Sequence, residues 1–328
     1  IWFCDGETIK RTKATQNDRL EKIETIRTEF DSRAIFHDKN ERMTMLNRRY
    51  ESIHLLFYDE TGRIVSEKKH QLNPLSPNHM SDNISSIIRD KKGNFWFGTR
   101  DGLFVYDDSS LKNFHTITEK KGSTDGLSHS VISEILEDSK KNIWIGTSIG
   151  LNKLSFPNGK PYIEQFSDSH DINSFRLNNR VQALAEGDDG ILWVGSKLGI
   201  AYFDPEKKHF FARAETDNFL SKINAMFVRT MFKDKQGRIW IGFVYGGLIC
   251  FDSASGKFLK ITTPRNDFNK QDIWAVLEDI DGSIWFGSKR DGLFRFQPDS
   301  IQSSGMVQHM RQYNVSERKN SSTSTDWI

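Results

Sequence analysis

A tryptophan recurs at a nearly constant interval along most of the 328 residues of this chain. Five of the tryptophans are separated from one another by 48, 49, 47 and 45 residues, and each has a glycine two places further on. An aspartate stands six places before four of them, as Asp138 does before Trp144. A period of this length is typical of repeat proteins, in which every repeat is one supersecondary unit. The repeated residues are Trp96 and Gly98, Trp144 and Gly146, Trp193 and Gly195, Trp240 and Gly242, and Trp285 and Gly287.

Each repeat contains short runs of β-branched and aromatic residues separated by turn residues, which favours strands over helices. Four short strands in about 47 residues are typical of one blade of an antiparallel β-propeller. In the first turn, residues 90–93 (Asp-Lys-Lys-Gly) supply an aspartate that can cap backbone N–H groups and a glycine that tolerates positive φ. We expect the repeated tryptophans to pack between blades, and the glycines that follow them to let neighbouring sheets approach closely.

The number of blades is predicted from the spacing of the repeats. Trp2 lies 94 residues, or two periods, before the first repeated tryptophan, so a degenerate blade is expected at residues 31–72, with Thr44 in place of tryptophan. Residues 1–27 are assigned to the outer strands of a closing blade, and residues 325–328 are the candidate for its inner strand. The sequence therefore predicts an all-β fold, a single seven-bladed β-propeller of four-stranded antiparallel blades. The other five blades are predicted at residues 83–118, 130–165, 180–213, 227–262 and 272–313.

The composition argues against several classes of protein. The formal net charge is +2, so bulk charge does not favour binding to nucleic acid. No run of about 18 apolar residues occurs, so neither a membrane-spanning helix nor direct membrane insertion is expected. The nine histidines and the two cysteines, Cys4 and Cys250, match no metal-ligand spacing and no disulfide framework, so no metal or other cofactor is expected. The redox state of the two cysteines stays open.

The clearest copy of the repeat, at residues 136–151, contains Leu-Glu-Asp, then Ile-Trp-Ile-Gly-Thr, and ends in Gly-Leu. This phrase, with close copies at residues 228–248 and 273–293, resembles the two-component regulator propeller repeat. The resemblance implies the periplasmic sensor part of a membrane-anchored histidine kinase, of the kind that detects glycan breakdown products in gut Bacteroidetes. It also implies an oligosaccharide ligand, the remaining sensor and kinase domains of a longer parent chain as partners, and a homodimeric full receptor. Because no kinase motif occurs, the chain is interpreted as one propeller of a longer sensor.

The candidate binding site lies where propellers bind ligands, on the face formed by the loops between second and third strands and the loops between blades. Basic residues outnumber acidic ones in these predicted loops. An arginine fork binds carboxylate or sulfate through paired hydrogen bonds, and a tyrosine ring can stack on a sugar. We therefore expect an anionic oligosaccharide site, with ordinary solvated loop tips as the alternative. The candidate residues are Arg100, His129, Asn179, Arg180, Lys197, Tyr245, Lys289 and Arg290.

Two other functions stay open on the sequence. A propeller that binds only other proteins would carry the same repeats, and some propellers are lyases or hydrolases. Acid–base catalysis needs a paired proton donor and acceptor, which the repeats do not supply in a regular position. No catalytic residue is therefore assigned, and an enzyme is not expected. Trp274 lies in a predicted first strand, where a core role is favoured and an approach to the central channel is the alternative.

Overall fold

The regular structure of the described residues, in a computed structural model, consists of β-strands and two single-turn 3₁₀ helices, Pro157–Gly159 and Pro298–Ser300. The chain divides into two compact units, one built mainly from residues 1–118 and the other mainly from residues 133–323. The structure describes the strands between residues 2 and 71 and residues 84–106, 114–120, 126–166, 180–211, 226–264, 268, 270–279, 281–289 and 291–313.

Two antiparallel sheets precede the repeated tryptophans. The first has three strands, β1 (Trp2–Cys4), β2 (Thr8–Arg11) and β3 (Glu24–Arg27). The second has four strands, β4 (Asp31–His37), β5 (Met43–Arg49), β6 (Ser52–Tyr58) and β7 (Ile64–Gln71).

Five four-stranded sheets follow, and each is a blade in which consecutive strands are hydrogen-bonded neighbours. Blade one contains β8 (Ile84–Arg89), β9 (Phe95–Thr99), β10 (Leu103–Tyr106) and β11 (Phe114–Ile117). Blade two contains β12 (Ile132–Glu137), β13 (Ile143–Thr147), β14 (Leu151–Ser155) and β15 (Tyr162–Phe166). Blade three contains β16 (Val181–Glu186), β17 (Leu192–Ser196), β18 (Gly199–Asp204) and β19 (His209–Phe211). Blade four contains β20 (Val228–Lys233), β21 (Ile239–Phe243), β22 (Gly247–Asp252) and β23 (Lys257–Lys260). Blade five contains β24 (Ile273–Glu278), β25 (Ile284–Ser288), β26 (Gly292–Phe296) and β27 (Arg311–Tyr313).

The predicted number of seven blades is wrong. The fold is all-β with five four-stranded propeller blades, because five sheets of the described residues combine four strands with the repeated tryptophan and glycine. Residues 1–27, assigned to a closing blade, contribute a three-stranded sheet, and its candidate inner strand, residues 325–328, lies outside the described residues. Residues 31–72 do contain a four-stranded sheet, but Thr44 stands where a blade of the repeat has its tryptophan. A length of two periods therefore does not imply two repeats.

A buried aspartate ties the first turn of a blade to its tryptophan. In blade two, Oδ2 of Asp138 accepts hydrogen bonds from Nε1 of Trp144 at 2.8 Å and from Nδ2 of Asn142 at 2.7 Å. Its Oδ1 accepts the backbone N–H of Asn142 at 2.7 Å, and Asp138 is only 3% exposed. Hydrogen bonds to a charged acceptor contribute about 1.5–3 kcal/mol each. The same carboxylate–indole bond, 2.9–3.1 Å long, joins Asp90 to Trp96, Asp234 to Trp240 and Asp279 to Trp285.

Blade three secures its tryptophan differently, because Gly187 occupies the place of the aspartate. The ring of Trp193 packs against the rings of Tyr202 and Phe251, with both centroid separations at 4.8 Å, and it is fully buried. Aromatic contacts of this kind contribute about 0.5–1.5 kcal/mol beyond the area that they bury.

The glycine after each tryptophan lets the next blade approach. A Cβ on Gly146 would lie 2.6 Å from Cγ1 of Val181, the first residue of the next blade, and a Cβ on Gly195 would lie 2.5 Å from Cγ1 of Val228. Such distances are far below an ordinary carbon–carbon contact of about 3.5–4 Å. The buried clusters of the second unit accordingly combine residues of neighbouring blades, such as Trp144 with Val194.

Cys250 lies in the core of blade four as a free thiol and is 1% exposed. Burial raises the pKa of this thiol to about 12, because the apolar surroundings disfavour the thiolate. The thiol is therefore protonated, and unreactive, at any ordinary pH.

We predict that Asp138→Ala lowers the free energy of unfolding by about 3 kcal/mol or more, because it leaves buried donors of Trp144 and Asn142 unsatisfied. Chemical denaturation measures the change. Asp189→Ala is the matched control, since Asp189 occupies the corresponding turn of blade three, is exposed, and accepts the backbone N–H of Ile191 at 3.1 Å. We expect the control to cost less than about 1 kcal/mol. Equal losses would contradict the structural role of the buried aspartate.

We predict that Gly146→Ala destabilises the protein by about 1–3 kcal/mol, because its methyl group overlaps Val181. Val181→Ala removes the overlapping atoms and is itself destabilising, because Val181 is fully buried. The double variant should therefore lose less than the sum of the two single variants, and a double-mutant cycle measures the difference. Additive losses would show that the two residues do not limit the approach of the blades.

We predict that Cys250 in a Cys4→Ser background reacts with a thiol reagent at pH 8 about a thousandfold more slowly in the native protein than after denaturation. The absorbance of the released thiolate of the reagent follows the reaction. Comparable rates in the two states would contradict the burial of Cys250.

Candidate functional site

The first strand carries a β-bulge close to its start in blades one, three, four and five. In blade three, Val181 pairs with Ser196 and Ala183 pairs with Gly195, so Gln182 between them is left without a partner residue in the ladder. The same shift leaves out Arg229 in blade four and Trp274 in blade five. A bulge bends its strand and turns the side chain of the extra residue in a new direction. In each of these blades, the side chain of the bulged residue therefore does not follow the alternation of side chains between the two faces of the sheet.

The bulged residues of blades four and five meet. The guanidinium carbon of Arg229 lies 4.3 Å from the ring centroid of Trp274 and 5.2 Å from that of Phe227, the residue before β20. Nζ of Lys289 lies 5.7 Å from the Trp274 centroid, and Nζ of Lys197 lies 5.8 Å from the Phe227 centroid. Cations and rings thus alternate across blades three, four and five. We call Lys197, Phe227, Arg229, Asp272, Trp274 and Lys289 the cation–ring cluster.

The charges of the cation–ring cluster are unbalanced. It contains three cations and one carboxylate, that of Asp272, whose Oδ1 already accepts the backbone N–H of Tyr245 at 2.8 Å. Contacts with ring faces contribute about 0.5–2 kcal/mol each, but they leave the positive charge in place. Burial lowers the pKa of Arg229, and the charge of Asp272 opposes that change. An anionic group next to Arg229 would therefore be bound favourably.

Three of the predicted site residues belong to this region. Lys197 and Lys289 are members of the cluster, and both are exposed. Tyr245 is 61% exposed at the tip of the hairpin between β21 and β22, with a φ of 55°, and its backbone N–H is bound by Asp272. The hairpin tips of blades two and three present Ile149 and Leu198, which are 44% and 48% exposed. Apolar surface therefore borders the cations.

The structure gives Arg180, His129 and Arg100 surroundings of their own. Nε of Arg180 donates a hydrogen bond to Oγ of Ser133 at 2.9 Å, which joins the start of blade three to blade two. His129 is partly buried in the segment before β12. Arg100 is exposed in a hairpin of the first compact unit. Asn179 and Arg290 lie outside the described residues.

The sequence prediction missed Phe227, Arg229 and Asp272. For Trp274 it favoured the core over an approach to the channel, and the structure shows Trp274 only partly buried. A signal was present. Each first strand begins with a β-branched apolar residue, and the next residue is one of four different types among the five blades. That second residue is Ser85, Ser133, Gln182, Arg229 or Trp274 in blades one to five. A position that varies inside a constant pattern is a candidate for binding, because it does not build the core.

Neither a metal-binding cluster nor a membrane-spanning helix occurs among the described residues. They contain no group of three histidine, cysteine, aspartate or glutamate side chains that could hold a metal ion. In the same part of the chain, no helix has the length and apolar character needed to cross a membrane.

The strand order, the bulged first strands and the aspartate–tryptophan turns define a β-propeller repeat protein. The chain belongs to the two component regulator propeller family, whose model matches each of the five blades. The matched segments are residues 78–101, 126–148, 176–197, 222–245 and 267–290. The sequence has no significant match among curated proteins.

Several solved structures share the fold at low sequence identity. An extracellular domain assigned to a hybrid two component system of B. thetaiotaomicron is 16% identical with a TM-score of 0.61; the match covers 82% of this chain and 34% of that one. PorZ, a surface component of the type-IX secretion system of Porphyromonas gingivalis, is 15% identical with a TM-score of 0.61, over 88% and 42% of the two chains. Virginiamycin B lyase of Staphylococcus aureus, in complex with quinupristin, is 12% identical with a TM-score of 0.61, over 95% and 90%. These likenesses concern the fold alone.

Proposed function

We propose that this chain is the ligand-binding propeller of an extracytoplasmic sensor in a two-component signalling system, and that it binds an anionic product of glycan breakdown. The single observation that carries the proposal is the cation–ring cluster, which contains three cations, two aromatic rings and one engaged carboxylate. Carboxylate and sulfate groups are the anions that cations of this kind bind best on glycans.

The bordering surface supports a sugar as the rest of the ligand. A sugar ring has apolar C–H faces and polar hydroxyl edges, so it needs both kinds of contact. Tyr245, Leu198 and Ile149 supply exposed apolar surface, and the lysines supply hydrogen-bond donors. The ligand of this proposal is therefore a short acidic oligosaccharide rather than a small inorganic ion.

The proposal places the chain within a larger receptor. Family membership and the likeness to an extracellular domain of a hybrid two component system support a periplasmic location. The chain spans about a third of the length of that domain, so the signal would pass to further sensor domains and a histidine kinase of a longer parent chain. The full receptor would be a homodimer.

Two alternatives have support of their own. The exposed Ile149, Leu198 and Tyr245 would also suit a propeller that binds another protein. The likeness to virginiamycin B lyase raises the alternative of an enzyme. At 12% identity, however, it shows a shared fold and assigns no catalytic residue to this chain. We favour the sensor because the charge imbalance of the cluster calls for an anion, whereas neither alternative explains it.

We predict that the chain binds oligogalacturonates or sulfated oligosaccharides more tightly than neutral glycans of equal length, and that the affinity falls as salt rises. Lys197→Glu with Lys289→Glu should weaken binding about tenfold or more, because each reversal removes an attraction and adds a repulsion of the order of 1 kcal/mol. Isothermal titration calorimetry at two salt concentrations measures both effects.

The matched control is Lys160→Glu with Lys257→Glu, which changes the net charge equally at exposed positions away from the cluster. It should change the affinity by less than about threefold, because distant exposed charges are screened. Equal losses in the two variants would contradict the proposed site. Cleavage of the glycan during the titration, followed by reducing-sugar assay, would favour the enzyme instead.

A further inference from the structure

The side chain of Arg229 contains a buried donor that the protein does not use. Its Nε has no hydrogen-bond partner within the part of the chain that the structure describes, and the atom is shielded from water by the surrounding side chains. A donor in this state loses its water without gaining a replacement, and the loss is larger for a charged group. Native proteins rarely retain such a group unless a ligand, a water molecule or a function accounts for it.

Packing against the rings of Phe227 and Trp274 does not by itself explain why residue 229 is an arginine. The position is the bulged residue of β20, which lies outside the ladder, and the corresponding residues of blades two and three are the shorter Ser133 and Gln182. An apolar side chain of similar length would cover Phe227 and Trp274 without burying a charge. The guanidinium is also surrounded by further positive charge, since Lys197 and Lys289 lie over the same two rings.

Two more unsatisfied polar atoms flank the cluster in sequence. Oε1 of Gln271 and Oγ of Ser288 are buried without a partner among the described residues. Gln271 precedes Asp272, while Ser288 precedes Lys289 and pairs with Ile273 in the ladder. Blade five therefore holds two further polar atoms whose hydrogen-bonding capacity is not used within the described residues.

We propose that Arg229 anchors an oxyanion subsite, in which its guanidinium binds the carboxylate of a uronate or the sulfate ester of a bound sugar. The inference rests on the proposed function only for the glycan; the subsite itself can be tested with a simple anion. A guanidinium presents its two Nη groups side by side at the end of the side chain, and two oxygens of either anion can accept one N–H from each. The two rings fix the plane of the guanidinium, so little side-chain entropy is lost on binding. The exposed ammonium groups of Lys197 and Lys289 add attraction from two sides.

The first experiment compares the melting temperature of the wild-type chain with that of Arg229→Met in sodium sulfate and in sodium chloride at equal ionic strength. General salting-out by sulfate acts equally on both proteins, so the difference between them reports specific binding. We expect the increment in sulfate to be at least about 2 °C larger for the wild type. The matched control, Arg311→Met at an exposed position of β27, should keep the full increment.

The result that overturns the proposal is an equal sulfate increment in the wild type and Arg229→Met. If the guanidinium served packing alone, Arg229→Met would lower the melting temperature in chloride and leave the sulfate increment unchanged. Should Arg229→Met fail to fold, Arg229→Lys answers the same question, because it keeps the charge and loses the paired donors. We expect Arg229→Lys to lose at least half of the increment, and a full increment would overturn the subsite.

The second experiment identifies the source of the oxyanion. Calorimetry compares a galacturonate trisaccharide, a sulfated galactose trisaccharide and neutral galactotriose, each with the wild type and with Arg229→Lys. We expect a loss of about tenfold or more in affinity for the preferred anionic sugar, because a paired charged hydrogen bond is removed. Wild-type protein that binds none of the sugars but keeps the specific sulfate increment would refute the proposed glycan ligand and support the subsite. Equal affinities of the wild type and Arg229→Lys for an anionic sugar would overturn the subsite and leave the proposed function intact.

Discussion

The buried carboxylate at the first turn is the interaction on which the regularity of the blades depends. In blade two, Asp138 holds the indole of Trp144 with one oxygen and the turn backbone with the other. The bond fixes the orientation of the largest side chain in the blade. With the indole fixed, Gly146 comes to lie directly against Val181 of the next blade. Each blade therefore positions the first strand of its neighbour, and the start of that strand is where the bulge occurs.

The bulge separates the residues that build the blade from those that contact the surroundings. Val228 and Ile273, which start their strands, are fully buried against the preceding blade. Arg229 and Trp274 follow them directly but take no place in the ladder. A residue that packs in the core and a residue of the candidate site are thus adjacent in one strand. The hairpin tips with Lys197 and Lys289 lie at the same end of the blades, because antiparallel pairing brings the end of the second strand beside the start of the first.

The sequence predicted the repeated part of the fold because its residues have steric and polar roles that recur. Tryptophan, glycine and the turn aspartate appear at fixed spacing, and the five sheets that contain the repeated tryptophan have four strands each. The predicted number of seven blades was wrong, because the spacing of the repeated tryptophans was extended over residues 1–72. That part of the sequence does not contain the tryptophan, glycine and aspartate of the repeat together. Of the residues in and around the candidate site, Lys197, Tyr245 and Lys289 were predicted from loop position and charge. Arg229 was missed because the expected alternation of inward and outward side chains along a strand does not include an extra residue. The bulge becomes visible only in the pairing of β20 with β21, which skips Arg229.

The bulged position also bears on how such a chain can change over generations. A substitution of Gln182, Arg229 or Trp274 alters neither the pairing of the ladder nor the contact between the glycine of the preceding blade and the first residue of the strand. Serine, glutamine, arginine and tryptophan all occupy the position within this one chain. Duplication of a repeat thus adds one more side chain that selection can alter without loss of the fold. Recognition of a new compound can then arise by single amino-acid exchanges, one blade at a time.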